Sequence, residues 1–401
     1  MSKRHVLIFA KTSRTKTPYD EWLAGSGIEP IILATDECAA SYGHLPEVYG
    51  FANYDHNQLV EKTALALARS HALVGIFARG EPDVIRAAQL RELLDLPGQK
   101  TASALAFRNK VIMKDHLRES GIRVPAYRAV DSAYTALQFV EEHGYPVVIK
   151  PAMGSGSFGT NVIRDEAELD RYLAQAPRTE MEIERFVDGP MYHVDGLIID
   201  GQLAFISPFR YVNDCLSYRK SEFLGFHTVG TDDPLYPRLV ANAWTIVATL
   251  PSPRHMAFHC ELWHTPDDQI VFCEIASRTG GALISSTIHR SFGFHIDKEW
   301  FYAECGLPRT LPSQRSYQPA GGVLLPPLDG ILEHLPNGHE LPCVRDAELP
   351  GVVGQRYHGG VKSGFFVAGY VVVGDTETEV ARNIADTADW FARNARWQLT
   401  G

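Results

Sequence analysis

Two glutamates interrupt runs that otherwise read as strands. Glu261 lies within "FHCELW" (258–263) and Glu274 within "IVFCEI" (270–275), both rich in aromatic and β-branched residues. Pro266, Asp267 and Asp268 between them are turn residues, so the stretch reads as a hairpin. A turn centred between Asp267 and Asp268 puts position 261 opposite position 274, and opposed residues of an antiparallel pair share a face with Cβ atoms ~5 Å apart. Like charges placed there repel. A cation between them turns the repulsion into attraction, and hard oxygen ligands suit Mg²⁺, with Mn²⁺ as a substitute. The competing reading is a one-residue bulge that splays the pair and leaves two solvated carboxylates.

A second group lies upstream. "VVIKPAMGSGSFGTNVI" (147–163) ends an apolar run at Lys150 and continues into glycines at 154, 156 and 159. The spacing matches G-x-G-x-x-G, but a dinucleotide fingerprint needs a helix directly after the loop, and "TNVI" is strand-like. No Gly-Lys-Ser/Thr follows, so a Walker A loop fails as well. Strand–loop–strand fits a flexible flap whose backbone N–H groups approach phosphate oxygens unobstructed by side chains. Lys150, four residues before it, either snorkels outward or meets the same anion.

The elements that must carry these groups alternate in type. "HVLIFA", "EPIILAT" and "ALVGIFA" read as strands, separated by the helical "NQLVEKTALALARS" and followed by "EPDVIRAAQLRELLDL", which implies an open parallel sheet ending near "LPGQK" at 96–100. A helix over about 101–119 follows, then "TALQFVEEHG" as a helix and a helix opened by Asp165. "MEIERFVDGPMYHVDGLIIDGQLAFISPF" reads as strands turning at Asp188-Gly189 and Asp200-Gly201. Short strands over 317–374 and a last helix, "TETEVARNIADTADWFARNA", close the chain. The 401 residues suit two or three domains. A net charge of −10 argues against nucleic acid or an anionic membrane as partner, and no apolar run approaches the ~18 residues of a membrane span. Six cysteines without CxxC or zinc spacing suit free thiols in a reducing cytoplasm. Strict alternation turns Cys260 and Cys273 away from the glutamates, toward core.

In order, "RNKVIMKDHL", "YPVVIKPAMGSGSFGT", "EIERFVDG", "FHCEL" and "FCEIASRTGG" resemble the ATP-grasp superfamily. Within it the chain looks most like carboxylate–amine ligases of the L-amino-acid (dipeptide) ligase and carnosine-synthase kind. The resemblance implies an α/β fold that becomes α+β in the C-terminal half. An N-terminal open parallel-sheet (Rossmann-like) domain would span 1–98, a central helix and small lid subdomain 99–186, and a larger antiparallel β-rich domain 187–401. It implies ATP and Mg²⁺, with Lys110 and Lys150 on phosphates and Gly154, Ser155, Gly156, Ser157, Phe158 and Gly159 in the mobile loop. Glu184, Phe186 and Val187 would form the adenine-side hinge, Glu261 and Glu274 the metal ligands, and Arg278 the holder of the transferred phosphate and acyl intermediate. Two positions depart from the family pattern. Ala276 stands where many members carry a metal-binding asparagine, and Met191 where a glutamate often contacts ribose, a task left to His193 or Asp195.

The implied chemistry joins a small carboxylate, such as an amino acid, to an amine through an acyl phosphate. Rival expectations are a bicarbonate-using carboxylase, transfer to a carrier-protein thiol, and a non-catalytic nucleotide sensor. For substrates, Arg210 and Arg219 (with Lys220 and His227) offer a carboxylate site or a solvated loop. Glu81 offers an ammonium site or a helix-start acid. His259 is either a group behind the metal site or a packed histidine. Gly280-Gly281 is either an oxyanion approach or a turn. A homodimer is expected from the habits of the family.

Overall fold

The computed structural model describes residues 3–175, 179–311 and 317–399. The chain begins with β1 (Arg4–Ala10), α1 (Tyr19–Trp22), β2 (Ile28–Thr35), α2 (Asp36–Ser41), β3 (Val48–Phe51), α3 (Leu59–Ser70), β4 (Ala72–Ala78) and α4 (Asp83–Leu93). The four strands form the expected parallel sheet, in the order β3-β2-β1-β4. β1 is buried over six consecutive residues because both of its faces are covered. One face carries α3 and α4; the other packs Phe77 against Trp300 and Phe301 of the C-terminal half.

The helix expected over 101–119 is two helices, α5 (Thr101–Ala106) and α6 (Lys110–Leu117). Asn109 breaks it by capping α6, its side chain accepting from the N–H groups of Val111 and Ile112 at 3.0 and 3.3 Å. Both helices pack their apolar residues away from the lid sheet that follows them. Ala106, Phe107, Met113 and Leu117 are buried in the core of the large domain, where apolar surface of this size finds cover. The lid proper is β5 (Tyr127–Val130), α7 (Ala133–His143), β6 (Val147–Pro151), β7 (Asn161–Ile163), α8 (Glu166–Leu173) and β8 (Met181–Arg185). Its antiparallel sheet runs β5-β8-β6-β7 over a small core that includes Phe139, Ile149 and Ile183.

The large domain follows, with β9 (Met191–Ile199), β10 (Gln202–Tyr211), β11 (Leu224–Thr228), α9 (Tyr236–Thr249), β12 (Met256–His264), β13 (Ile270–Ala276), α10 (Ile284–Phe292) and α11 (Ile296–Glu304). It continues with β14 (Ala320–Leu325), β15 (Asp329–His334), β16 (Val344–Glu348), β17 (Arg356–His358), β18 (Ala368–Val373), α12 (Glu377–Asn394) and β19 (Arg396–Leu399). Eight strands make one sheet in the order β13-β12-β9-β10-β11-β14-β18-β16, and β17-β15-β19 make a small one. Along β9 the side chains alternate. Tyr192, Val194 and Ile198 pack with α9 residues such as Leu239 and Ala243, while Met191, His193 and Asp195 take the opposite face. Asp188-Gly189 marks the passage from the lid sheet to the large sheet, and Asp200-Gly201 is a hairpin turn, both residues at positive φ. No helix among the described residues is long and apolar enough to cross a membrane.

Candidate active site

Glu261 and Glu274 are paired across β12 and β13, as the hairpin arithmetic requires, but by a different route. The turn sits half a residue earlier than expected, so next to it Leu262 pairs with Phe272. A bulge at Cys273 then restores the offset and sets the two glutamates opposite each other. The bulge aligns the carboxylates instead of splaying them. It also overturns the expected alternation at Cys273, which lines the cleft beside Glu274 while Cys260 is core. Burial opposes charge on Glu261, but hydrogen bonding by His259 and Tyr211 outweighs it and holds the carboxyl below its ordinary range. The Tyr211 hydroxyl donates to Glu261 Oε1 at 3.1 Å. Two opposed carboxylates facing a cleft are an all-oxygen donor set suited to Mg²⁺ or Mn²⁺.

The cleft holds about 390 Å³, enough for a nucleotide-sized ligand. The lid contributes Val148, Lys150, Val162 and Glu184, and the large sheet Glu261, Trp263, Cys273 and Glu274. The hinge contributes Phe186, Val187 and Met191, and Arg210 stands at the wall with its guanidinium 5.9 Å from the Tyr192 ring. Lys110, the first residue of α6, would be disfavoured at the positive end of a helix. Glu274 Oε2, 2.9 Å from its ammonium, offsets this, and Lys110 also donates to Gly154 O at 2.9 Å.

Behind these groups lies a buried cluster not anticipated from the sequence. Lys114 is fully buried between Glu182 and Glu184, 2.5 Å from Glu184 Oε2. Lys150 reaches Glu184 Oε1 at 2.5 Å and Glu182 at 3.7 Å. Burial raises Glu182 above its ordinary value. Glu184 is held at about 2 against the same burial by Lys114 and Lys150. The usable signal was spacing: Lys114 is four residues after Lys110, on one helix face.

At the far end, Glu81 follows β4 at the carboxyl edge of the parallel sheet, where open sheets bind ligands. It is not a helix cap, since α4 starts at Asp83. Arg278 Nε and Arg108 Nη1 both bind it, and they hold its carboxyl at about 2 against the pull of burial. Arg108, also missed, donates from Nη2 to Met153 O at 2.8 Å and so ties this cluster to the lid. Gly280 is required by packing, since a Cβ there would lie 2.5 Å from Ile284 Cδ1 and 3.0 Å from His259 Nδ1; Gly281 has open space.

His193 and Asp195, expected at the ribose, do not face the cleft. Both are almost fully buried, and neither lines the cleft. His193 stacks on Phe209 at 4.9 Å and gives Nδ1 to Asp195 Oδ2 at 2.6 Å, and Asp195 Oδ1 takes His259 Nδ1 at 3.0 Å. The three residues could by type hold a transition metal. Their contacts are too short for it, because ligands ~2.0–2.1 Å from a tetrahedral ion sit ~3.3 Å apart. The group instead orients His259 toward Glu261, 3.5 Å away. Burial opposes charge on His259, but Asp195 and Glu261 raise it to about 10. Arg219 is also placed differently from a substrate site: it binds Thr160 O of the glycine loop.

Beside the parallel-sheet domain, a four-stranded lid and a large antiparallel sheet thus enclose one cleft lined by a glycine loop, two lysines and paired glutamates. Residues 109–200 match the family model described as carbamoyl-phosphate synthase L chain, ATP binding domain. The L-arginine-specific L-amino acid ligase of Bacillus subtilis is 27% identical over 285 residues, 66% of each chain. The match thus spans just under two thirds of that relative. The structure of an L-amino acid ligase from Bacillus licheniformis superposes over all of both chains with a TM-score of 0.78 at 16% identity. That of carboxyaminoimidazole ribonucleotide synthase from Aspergillus clavatus with ATP covers 97% of this chain and 99% of its own, with a TM-score of 0.74 at 16% identity. The chain shares the fold of these ligase and synthase structures.

Proposed function

We propose that the chain is an ATP- and Mg²⁺-dependent ligase that joins a small carboxylate, an amino acid in the first instance, to an amine. The observation that carries this reading is the register-matched pair Glu261 and Glu274, facing a nucleotide-sized cleft under a glycine loop. The relationship to amino acid ligases adds the substrate class.

A carboxylate is a poor electrophile. Its oxygen attacks the γ-phosphorus of ATP, the bond to the β-phosphate oxygen breaks, and ADP and an acyl phosphate result. The amine nitrogen then attacks the acyl carbon, the carbon–oxygen bond to phosphate breaks, and the nitrogen loses a proton. A divalent ion held by Glu261 and Glu274 supplies charge neutralisation at the phosphate oxygens when bound. The cations lining the cleft are already matched, Lys110 by Glu274 and Lys150 by Glu184, and beyond it Arg278 is matched by Glu81. An incoming triphosphate must therefore compete with these carboxylates, which favours its arrival with a divalent cation. Lys110, Lys150 and Arg278 then shift from carboxylates to phosphate oxygens, each worth roughly 3 kcal/mol of transition-state stabilisation in a water-poor site. The glycine loop excludes water from the acyl phosphate.

Phosphate release from ATP and Mg²⁺ is to be measured with amino acids singly and in pairs, with and without bicarbonate, and products identified by mass. Turnover that needs two amino acids and yields a dipeptide is expected. Stimulation by bicarbonate alone would replace this reading with carboxylation, to which Ala276 lends some weight. Acyl loading of a carrier thiol, or ATP binding without turnover, would replace it with transfer or sensing.

A further inference from the structure

The glycine loop is held by its carbonyls. Met153 O accepts from Arg108 and Gly154 O from Lys110. Ser157 O accepts from the Tyr218 hydroxyl at 3.2 Å, and Thr160 O from Arg219. Gly156 O accepts from the backbone N–H of Ser363 at 3.0 Å. Among the described residues, the N–H groups of Ser155, Gly156, Ser157 and Gly159 make no hydrogen bond. Gly156, Ser157 and Gly159 are at positive φ, so successive amides turn to one side, as an anion cradle requires. With these carbonyls tied to fixed donors, the four amides are left to a ligand of the cleft, which Gly154, Ser155, Ser157 and Phe158 line.

Ser363 is the unexpected donor. It lies some 200 residues beyond the loop, in the segment between β17 and β18. Lys362 precedes it with its stem over Gly156, where an added Cβ would meet Lys362 Cβ at 3.8 Å and Ser363 Oγ at 3.6 Å. The segment is itself anchored, because Phe365 N–H bonds Lys362 O at 3.0 Å and closes a turn, and Gly360 packs against Tyr218 O, where a Cβ would come within 2.9 Å. Tyr218 in turn holds Ser157. We infer that residues 359–365 are part of the nucleotide site: the Ser363 N–H is a positioning group that presents the phosphate-loop amides to the triphosphate, with Lys362 beside it as an exposed cation. The inference rests on the nucleotide reading of the cleft.

The Ser363 N–H can be removed with little other change. Ser363 is the second residue of the turn closed by Lys362 and Phe365, a position that proline favours. Ser363→Pro is expected to raise KM for ATP about five-fold, the worth of one hydrogen bond. It should also raise phosphate release uncoupled from amide product, while KM for the amino acids stays unchanged. Ser363→Ala keeps the N–H and is the rescue variant; it should return both quantities to wild-type values. Lys362→Ala should weaken ATP binding in a salt-dependent manner. Wild-type ATP dependence in Ser363→Pro overturns the inference, as does equal impairment of the proline and alanine variants with a matching fall in thermal midpoint. Calorimetric titration of the wild-type chain with ATP and Mg²⁺ separates the two levels: no binding there removes the nucleotide reading itself, whereas normal binding with an indifferent Ser363→Pro removes only the role of this segment.

Discussion

Lys114→Met tests the buried charge cluster most directly. Methionine keeps the length of the stem and removes the ammonium. Lys114 is fully buried, with Glu182 and Glu184 as its two partners, so the substitution leaves two enclosed carboxylates facing Lys150 alone. Breaking a buried ion pair from one side costs ~3–5 kcal/mol. The cost falls where β8 of the lid meets α6 of the large-domain core, so it appears as local opening. Amide exchange in β8 should accelerate roughly 100- to several-thousand-fold relative to wild type at pH 7.5. The sign of the pH dependence follows from linkage. Without Lys114 the glutamates have folded-state pKa values above their unfolded ones, so the folded lid takes up a proton as pH falls and the deficit shrinks. In wild type the shift of Glu184 has the opposite direction, down to about 2, and its contribution persists until the solution is strongly acid. The mutant-to-wild-type exchange ratio should therefore be clearly smaller at pH 5.5 than at pH 7.5. Unchanged exchange in β8, or a ratio equal at both pH values, would refute the argument.

Two further expectations concern the floor and the frame of the site. Glu274→Gln should lower kcat at least ~100-fold and abolish Mn²⁺ binding seen by electron paramagnetic resonance, with a thermal midpoint within ~3 °C of wild type; near-normal turnover would remove the metal assignment. Gly196→Ala should be destabilising at or above the upper end of the ~1–3 kcal/mol typical of overpacking, because a Cβ there would lie 2.1 Å from Phe258 Cζ and 2.9 Å from the Phe205 carbonyl, and a shift of the urea midpoint reports it.

The parallel sheet, the strand–loop–strand flap and the paired glutamates were legible because each rests on local pattern: continuous apolar strands, glycine spacing, a hairpin with a turn. What stayed hidden depends on partners distant in the chain. His193 reads as a polar residue near a hinge, and only the stacking of Phe209 and the pairing of Asp195 and His259 show it enclosed in the sheet. Cys273 was assigned by strict alternation, which a single bulge defeats. The break at Asn109 could have been read, since Asn before a helical run is a capping signal. Arg108 and Lys114 carry no local signal of their roles, because their partners Glu81, Glu182 and Glu184 come from other elements.

The two clusters also explain why the three parts of the chain must act together. Glu81 belongs to the parallel-sheet domain, Arg278 to the segment after β13, and Arg108 to the turn before α6, whose Nη2 reaches the base of the glycine loop at Met153. A ligand that draws Arg278 away from Glu81 leaves that carboxylate to Arg108 alone. Arg108 in turn holds both the loop carbonyl and the acid, so its position responds to both. A ligand at the carboxyl edge of the first sheet and the placement of the glycine loop would thus be linked through one side chain. The same geometry makes Lys110 responsive from the other direction, since it bridges Glu274 and Gly154 O. A cation at Glu274 would compete with the Lys110 ammonium for that carboxylate. Arg108 and Lys110, two residues apart, thus hold neighbouring carbonyls of one loop, Met153 O and Gly154 O, while each also binds a carboxylate from another element.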